Sequence, residues 1–228
     1  SIPGVSGQEK EVADRICRWL REAGCPPDAI VFDKAHRRTP LKGNVGNLIV
    51  KLPGTIPGPR RLLMAHMDTV PVCLGAKPVV AGRFIKSADP KTGLGADDRA
   101  GVAVVLSAAL EILRRKLPHP PLTFFFAIQE EVGLWGARFA TASDLGRPKL
   151  AFNFDGGAME KICVGATGGY RIDIAIAGIP SHAGVAPEKG VSAVAIASLA
   201  IASLIEGGWH GLVVKNGKRG TSNVGVIH

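Results

Sequence analysis

Leu122-Thr-Phe-Phe-Phe-Ala-Ile128 is an apolar run that breaks abruptly into Gln129-Glu130-Glu131-Val132-Gly133. A continuous apolar stretch of that length reads as a strand buried on both faces, the kind found in a parallel sheet covered by helices. Adjacent carboxylates at the mouth of such a strand repel each other unless a cation or a shared proton compensates. Successive residues of an extended chain project differently, so one of Glu130 and Glu131 can hold a cation while the other handles a proton.

Working outward, short apolar runs at 29–32, 47–52, 61–65 and 150–154 read as further strands, separated by turns such as Pro53-Gly54 and Pro57-Gly58-Pro59. Ser6 and Glu9 stand at capping-box spacing before an amphipathic helix carrying Val12, Ile16, Trp19 and Leu20 and closed by Gly24. The stretch 100–114 is periodic through Val104, Leu106, Leu110 and Leu113. Strands alternating with helices predict an α/β sandwich with a mostly parallel central sheet. Near Gly165 the pattern changes. Residues 170–177 (Tyr-Arg-Ile-Asp-Ile-Ala-Ile-Ala) alternate as a half-solvated strand does, and 191–204 reads as a small-residue helix. Two domains are expected, 1–164 and a smaller α+β domain over 165–228.

The chain has 228 residues, 46% of them hydrophobic, which is ample for a packed core. Its net charge of +9 comes from scattered residues with short clusters at Arg37-Arg38, Arg114-Arg115-Lys116 and Lys218-Arg219, and no aromatics interleave with them. A solvated face is therefore expected rather than a nucleic-acid surface, though the excess positive charge would favour anionic substrates. Cys17, Cys25, Cys73 and Cys163 form no CxxC pair and are expected as reduced, mostly buried thiols. No apolar run reaches membrane-spanning length and no signal-like segment opens the sequence, so a soluble, cytoplasmic chain is expected.

Three further segments carry chemistry. Leu62-Leu-Met-Ala-His66-Met-Asp68 is a strand ending in His-x-Asp, whose two side chains point the same way, so that one can bind a metal while the other stands behind it. Gly95-Ala-Asp97-Asp98-Arg99-Ala-Gly101 is an acidic pair before a helix, which by itself is equally an N-cap. Phe152-Asn-Phe-Asp155-Gly-Gly157 ends another apolar strand in an Asp. All lie after predicted strands or before a helix, where an open α/β sheet gathers its ligand-binding edge. One His with several carboxylates is the donor set of a hydrolytic metal site.

In this order the motifs resemble those of the co-catalytic zinc peptidases, the family of peptidase T, glutamate carboxypeptidase and acetylornithine deacetylase. Carried over residue by residue, the resemblance implies a site with two zinc ions, with Co2+ or Mn2+ as alternatives. His66 and Asp155 would hold one ion and Glu131 the other, with Asp97 bridging; Asp97 is preferred to Asp98 because it stands two residues before Arg99. Asp68 would be the orienting carboxylate and Glu130 the general base.

Gly178-Ile-Pro-Ser-His182-Ala-Gly184, with Pro187-Glu-Lys-Gly190, resembles the family's lid or dimerisation domain. The resemblance implies that His182 reaches a partner subunit's site, that Asn223 faces substrate, and that the protein is a homodimer. Within the family the 181–190 segment looks closest to peptidase T-like proteins, which implies release of an N-terminal residue from short peptides. Deacylase or carboxypeptidase action, or a non-catalytic scaffold, are the alternatives, because the fold is reused for several activities. The family pattern continues past Ile227 to a final His ligand, so the lid is read as incomplete. His36, His119 and His210 lie in turn-like contexts, and His228 sits within the lid segment. Read as complete, the chain would hold about one zinc tightly.

Overall fold

The computed structural model describes residues 2–158, 160–166 and 168–227, and the chain divides into two compact units, Ser1–Ile162 and Cys163–His228. The first unit runs α1 (Lys10–Glu22), β1 (Ile30–Phe32), β2 (Leu48–Leu52), β3 (Arg61–His66) and the hairpin β4 (Pro78–Ala81)–β5 (Phe84–Ser87). The long helix α2 (Ala96–Arg115), β6 (Leu122–Ala127), the short α3 (Trp135–Phe139) and β7 (Leu150–Asn153) follow. One sheet has the order β1-β2-β6-β3-β7. β3 pairs in parallel with β6 and β7, while β2 is antiparallel to β1 and β6, so only β2 opposes the common direction. The fold is therefore the expected α/β architecture with a mainly parallel central sheet.

Every residue of β6 is buried. Phe124 and Phe126 pack with Val12, Ile16 and Leu20 of α1 and Val102, Val105 and Leu106 of α2, whereas Phe125 and Ala127 pack with Ile49, Leu62 and Leu145. This two-sided burial explains the uninterrupted apolar run. Phe124→Ala, at a side chain with no solvent exposure, is expected to cost about 3–5 kcal/mol of unfolding free energy in a urea titration.

Two local expectations are corrected in this unit. Ser6 and Glu9 form no capping box: α1 starts at Lys10, its N-cap Glu9 makes no side-chain cap bond, and both side chains turn to other partners. Asn44 Oδ1 accepts from the Lys10 amide instead. The helix expected from residue 100 begins at Ala96, but Asp97 and Asp98 have non-helical torsions and the peptide between them is cis. Gly101 is required here, because a Cβ would collide with the Phe154 carbonyl and the Asp98 carboxylate. Cys17 and Cys25 are buried free thiols, Cys73 is half-buried and Cys163 exposed, so only part of the cysteine expectation holds.

The second unit contains α4 (Ala193–Glu206), capped by Ser192 Oγ accepting from the Ala195 amide, and the hairpin β8 (Gly211–Lys215)–β9 (Lys218–Ser222). Asn216 and Gly217 both have positive φ, the two-residue turn such hairpins favour, a signal the sequence reading passed over. Conversely, the alternating stretch 170–177 forms no strand. Alternation supplies two faces, but a strand also needs a neighbour for its backbone hydrogen bonds, and among the described residues this stretch has none. No described helix is long and apolar enough to cross a membrane.

Candidate metal centre

The parallel register sets His66, the last residue of β3, opposite Ala127 at the end of β6, with Asp155 two residues beyond β7. The carboxyl ends of three neighbouring strands thus deliver the chemistry to one edge. His66 is 3% exposed. Its Nδ1 lies 3.1 Å from the Asp68 carbonyl and 3.3 Å from Asp68 Oδ1. Donation from Nδ1 to Asp68 leaves Nε2 facing Asp97 Oδ1 at 3.1 Å, Glu130 Oε2 at 3.8 Å and Asp155 Oδ2 at 4.0 Å. That tautomer follows from the hydrogen-bond partners. An imidazole backed by a carboxylate, with its free nitrogen aimed among others, is the usual arrangement of a metal-binding histidine.

Asp68 is fully buried and accepts from Ser6 Oγ (2.6 Å), the Glu130 amide (3.0 Å) and the Glu131 amide (3.2 Å). Burial by itself would raise its pKa, but the hydrogen bonds from His66, Ser6 and the Glu130 amide outweigh burial and hold it below its ordinary value. Asp98 is also buried, and its oxygens are engaged by the His66 amide and the Gly101 amide, each at 3.1 Å. Burial pushes its pKa up to about 7, with the charge of Asp155 adding to the effect. Asp97, by contrast, is exposed and reaches His66 directly. The acidic pair thus divides between a backbone clamp and a carboxylate open to the site.

Electrostatics favour a cation at this edge. Burial, then neighbouring carboxylate charge, raises the pKa values of Glu130 and Glu131. For His66, burial would lower the pKa, but the Asp68 hydrogen bond and the charges of Asp68, Asp98 and Glu130 raise it to about 9. Among the described residues no Lys or Arg forms an ion pair with Asp97, Asp98, Glu130, Glu131 or Asp155. Two donor groups converge, His66 with Asp97 and Glu131, and His66 with Asp98 and Asp155, each within 4.8 Å. Imidazole nitrogen with several carboxylate oxygens fits a divalent cation. A cavity of about 70 Å³ opens between His66, Glu130 and Asp155.

The structure therefore brings together His66, Asp68, Asp97, Glu130, Glu131 and Asp155. His182 and Asn223 belong to the second unit, where both are exposed and His182 Nδ1 accepts from the Gly184 amide. A larger open depression of about 390 Å³ in that unit is lined by residues 178–181, Pro187 and 190–192, none of them ionisable. His228 lies outside the described residues.

Sequence reasoning missed the residues behind the site. Arg99 donates from Nε to the Met67 carbonyl and from its two terminal nitrogens to the Ile2 and Gly4 carbonyls, tying the N-terminal segment to the end of β3. Glu9 is fully buried, and its Oε1 accepts from the Gly7 amide (2.9 Å) and the Gln129 amide (3.0 Å). Burial raises the Glu9 pKa from 4.5 to about 7. A raised folded-state pKa means that the contribution of Glu9 to stability is fully present below about pH 4.5 and is lost as pH rises through 7. Glu9→Gln, which keeps the accepting oxygen without the charge, is expected to gain up to ~3 kcal/mol on the wild type between pH 5 and pH 8. Urea titrations at both pH values check this; equal pH dependence would refute it.

A mainly parallel α/β sheet with one imidazole and several carboxylates at its carboxyl edge has the donor set of a hydrolytic metal site. The chain belongs to peptidase family M28, whose family model matches residues 47–167. It is 38% identical over 160 residues to the uncharacterized protein YqjE of Bacillus subtilis (strain 168), covering 70% of this chain and 43% of that protein. It is 27% identical over 186 residues to peptidase T of Escherichia coli (strain K12), covering 67% of this chain and 45% of that one. A solved tripeptidase of Staphylococcus aureus subsp. aureus Mu50 superposes with a TM-score of 0.65 at 28% identity, covering 88% of this chain and 52% of the other. The chain is thus related to peptidase T, and it spans about half the length of the curated relatives it matches.

Proposed function

We propose that the protein is a metal-dependent peptidase that releases the N-terminal residue of short peptides, tripeptides foremost. The observation that carries this reading is the His66 Nε2 atom set among Asp97, Glu130 and Asp155 at the carboxyl edge of the sheet. The likeness to a tripeptidase supports the substrate class. In this reading residues 1–164 form the catalytic domain and 165–228 part of a lid through which two copies pair, in the cytoplasm.

His66, Asp97, Glu131 and Asp155 would hold two zinc ions. Bound zinc supplies Lewis-acid polarisation of the scissile carbonyl and lowers the pKa of the attacking water towards ~7. Asp68 fixes the His66 ring and, through its oxygens, the backbone of Glu130 and Glu131. Glu130 takes the proton of the attacking water and returns it to the leaving amine. His182 would donate to the developing oxyanion from the neighbouring copy, and Asn223 would face the substrate.

A panel of tripeptides, N-acyl amino acids and C-terminal glutamyl peptides, assayed with added zinc and again after chelation, tests the reading. Chelator-sensitive turnover of tripeptides with release of the first residue is expected. Preference for N-acyl amino acids or for C-terminal cleavage would replace it with the deacylase or carboxypeptidase alternative. Zinc binding without turnover of any substrate would favour a scaffold.

A further inference from the structure

The turn from Ser6 to Glu9 has the spacing of a helix cap, yet it spends both side chains on the strand-end loops instead. Ser6 Oγ donates to Asp68 Oδ2 at 2.6 Å, and the same oxygen accepts from the Glu131 amide at 3.2 Å. Asp68 Oδ1 accepts from the Glu130 amide at 3.0 Å, and Glu9 Oε1 accepts from the Gln129 amide at 3.0 Å. Three successive amides, at 129, 130 and 131, are therefore held by two carboxylates. Gln129 has φ of +52°, a conformation uncommon outside glycine, so these bonds help hold the turn that aims the next two side chains.

The segment carrying Ser6 is itself anchored. Arg99 bonds the Ile2 and Gly4 carbonyls, the Thr69 amide donates to the Gly4 carbonyl at 3.0 Å, and Val5 bridges Thr69 in parallel. Gly4 leaves room for this, because a Cβ there would press on the Arg99 guanidinium and on Val12. The Ser6 hydroxyl thus meets Asp68 from a fixed backbone.

We infer that Ser6 is a positioning residue for the metal centre, its hydroxyl fixing the Asp68 carboxylate that orients His66 and the Glu130-Glu131 backbone together. A carboxylate that must serve a ring nitrogen and two amides has little tolerance for rotation. Ser6 supplies the remaining charge-assisted hydrogen bond that sets its plane. The inference rests on the roles proposed for His66, Glu130 and Glu131, so Glu130→Gln is measured beside the Ser6 variants.

Ser6→Ala is expected to lower kcat for a tripeptide about 10-fold with KM within about two-fold. It should also weaken cobalt(II) binding roughly 3–10-fold and alter the visible spectrum of the cobalt-loaded protein, less than the ~10–100-fold typical of a direct outer partner because Ser6 acts one bond further out, through Asp68. Ser6→Thr should restore these properties, and with them the metal-free stability that Ser6→Ala loses with its hydrogen bond to the buried Asp68 carboxylate. Wild-type kcat, cobalt affinity and spectrum in Ser6→Ala, with Glu130→Gln inactive, would overturn the positioning role, and so would a Thr variant that behaves like Ala. An active Glu130→Gln would count against the functional reading instead, and the cobalt affinity of Ser6→Ala would then still decide the role of Ser6.

Discussion

Glu130→Gln is expected to lower kcat for tripeptides by about 10²–10⁴ while metal content stays at the wild-type level, because a general base supplies a factor of that order. The substitution keeps the length of the side chain and the backbone amide that donates to Asp68 Oδ1, so the turn at 129–131 is undisturbed. What it removes is the capacity to accept a proton beside His66, where Glu130 Oε2 sits 3.8 Å from Nε2. Burial and the charges of Asp155, Asp68 and Asp97 raise its pKa above the ordinary carboxylate value, in keeping with the base role proposed for it. Steady-state kinetics with elemental analysis of the same preparation decide the matter. Activity within ten-fold of wild type would assign the proton transfer elsewhere, and lost metal would make Glu130 a ligand.

Asp155→Ala is expected to fail in the opposite way, by losing metal. Its carboxylate belongs to the group formed with His66 and Asp98, and Asp98 is already committed to the amides of His66 and Gly101. Asp155 is thus the member of that group whose oxygens remain to bind a cation. Removing it should raise the metal dissociation constant by more than the ~10–100-fold typical of an outer partner. Since a ligand present at 100 times its dissociation constant stabilises the folded state by about 2.7 kcal/mol, the thermal shift that zinc gives the wild type should largely vanish in the variant. Chelation of the wild type should abolish turnover and added zinc restore it. An Asp155→Ala protein that keeps both its metal affinity and its zinc-dependent shift would remove Asp155 from the ligand set.

β2 and β6 were legible because burial leaves a local apolar signature, whereas the largely exposed hairpin β4–β5 carries none and was not predicted. Leu122 to Ile128 could not be so apolar in a solvated turn, and β6 is buried throughout. His66, Glu130 and Glu131 were legible for a related reason, since polar residues that end buried strands share the edge those strands share; Asp155 follows an apolar run whose strand is exposed, and the choice of Asp97 over Asp98 at the start of α2 came from the family resemblance. The same local logic misread two places. Residues 170–177 alternate but find no ladder partner, and the cap spacing of Ser6 and Glu9 matches a motif whose bonds those side chains do not make.

Periodicity and the position of a charge relative to an apolar run are properties of neighbouring residues, and they were enough to predict the α/β class and most of the groups that meet at the strand ends. How those groups pair depends on the packing of segments distant in the chain. That packing set Asp98 against the His66 and Gly101 amides and left Asp97 open. It bound Ser6 to Asp68 across 62 positions and Glu9 to Gln129 across 120. A hydrogen-bonding side chain goes to whichever buried partner the packed chain brings within about 3 Å. Leaving such a partner unsatisfied costs more than leaving a helix end to water, and that is why the turn before α1 bonds Asp68 and the Gln129 amide rather than capping the helix.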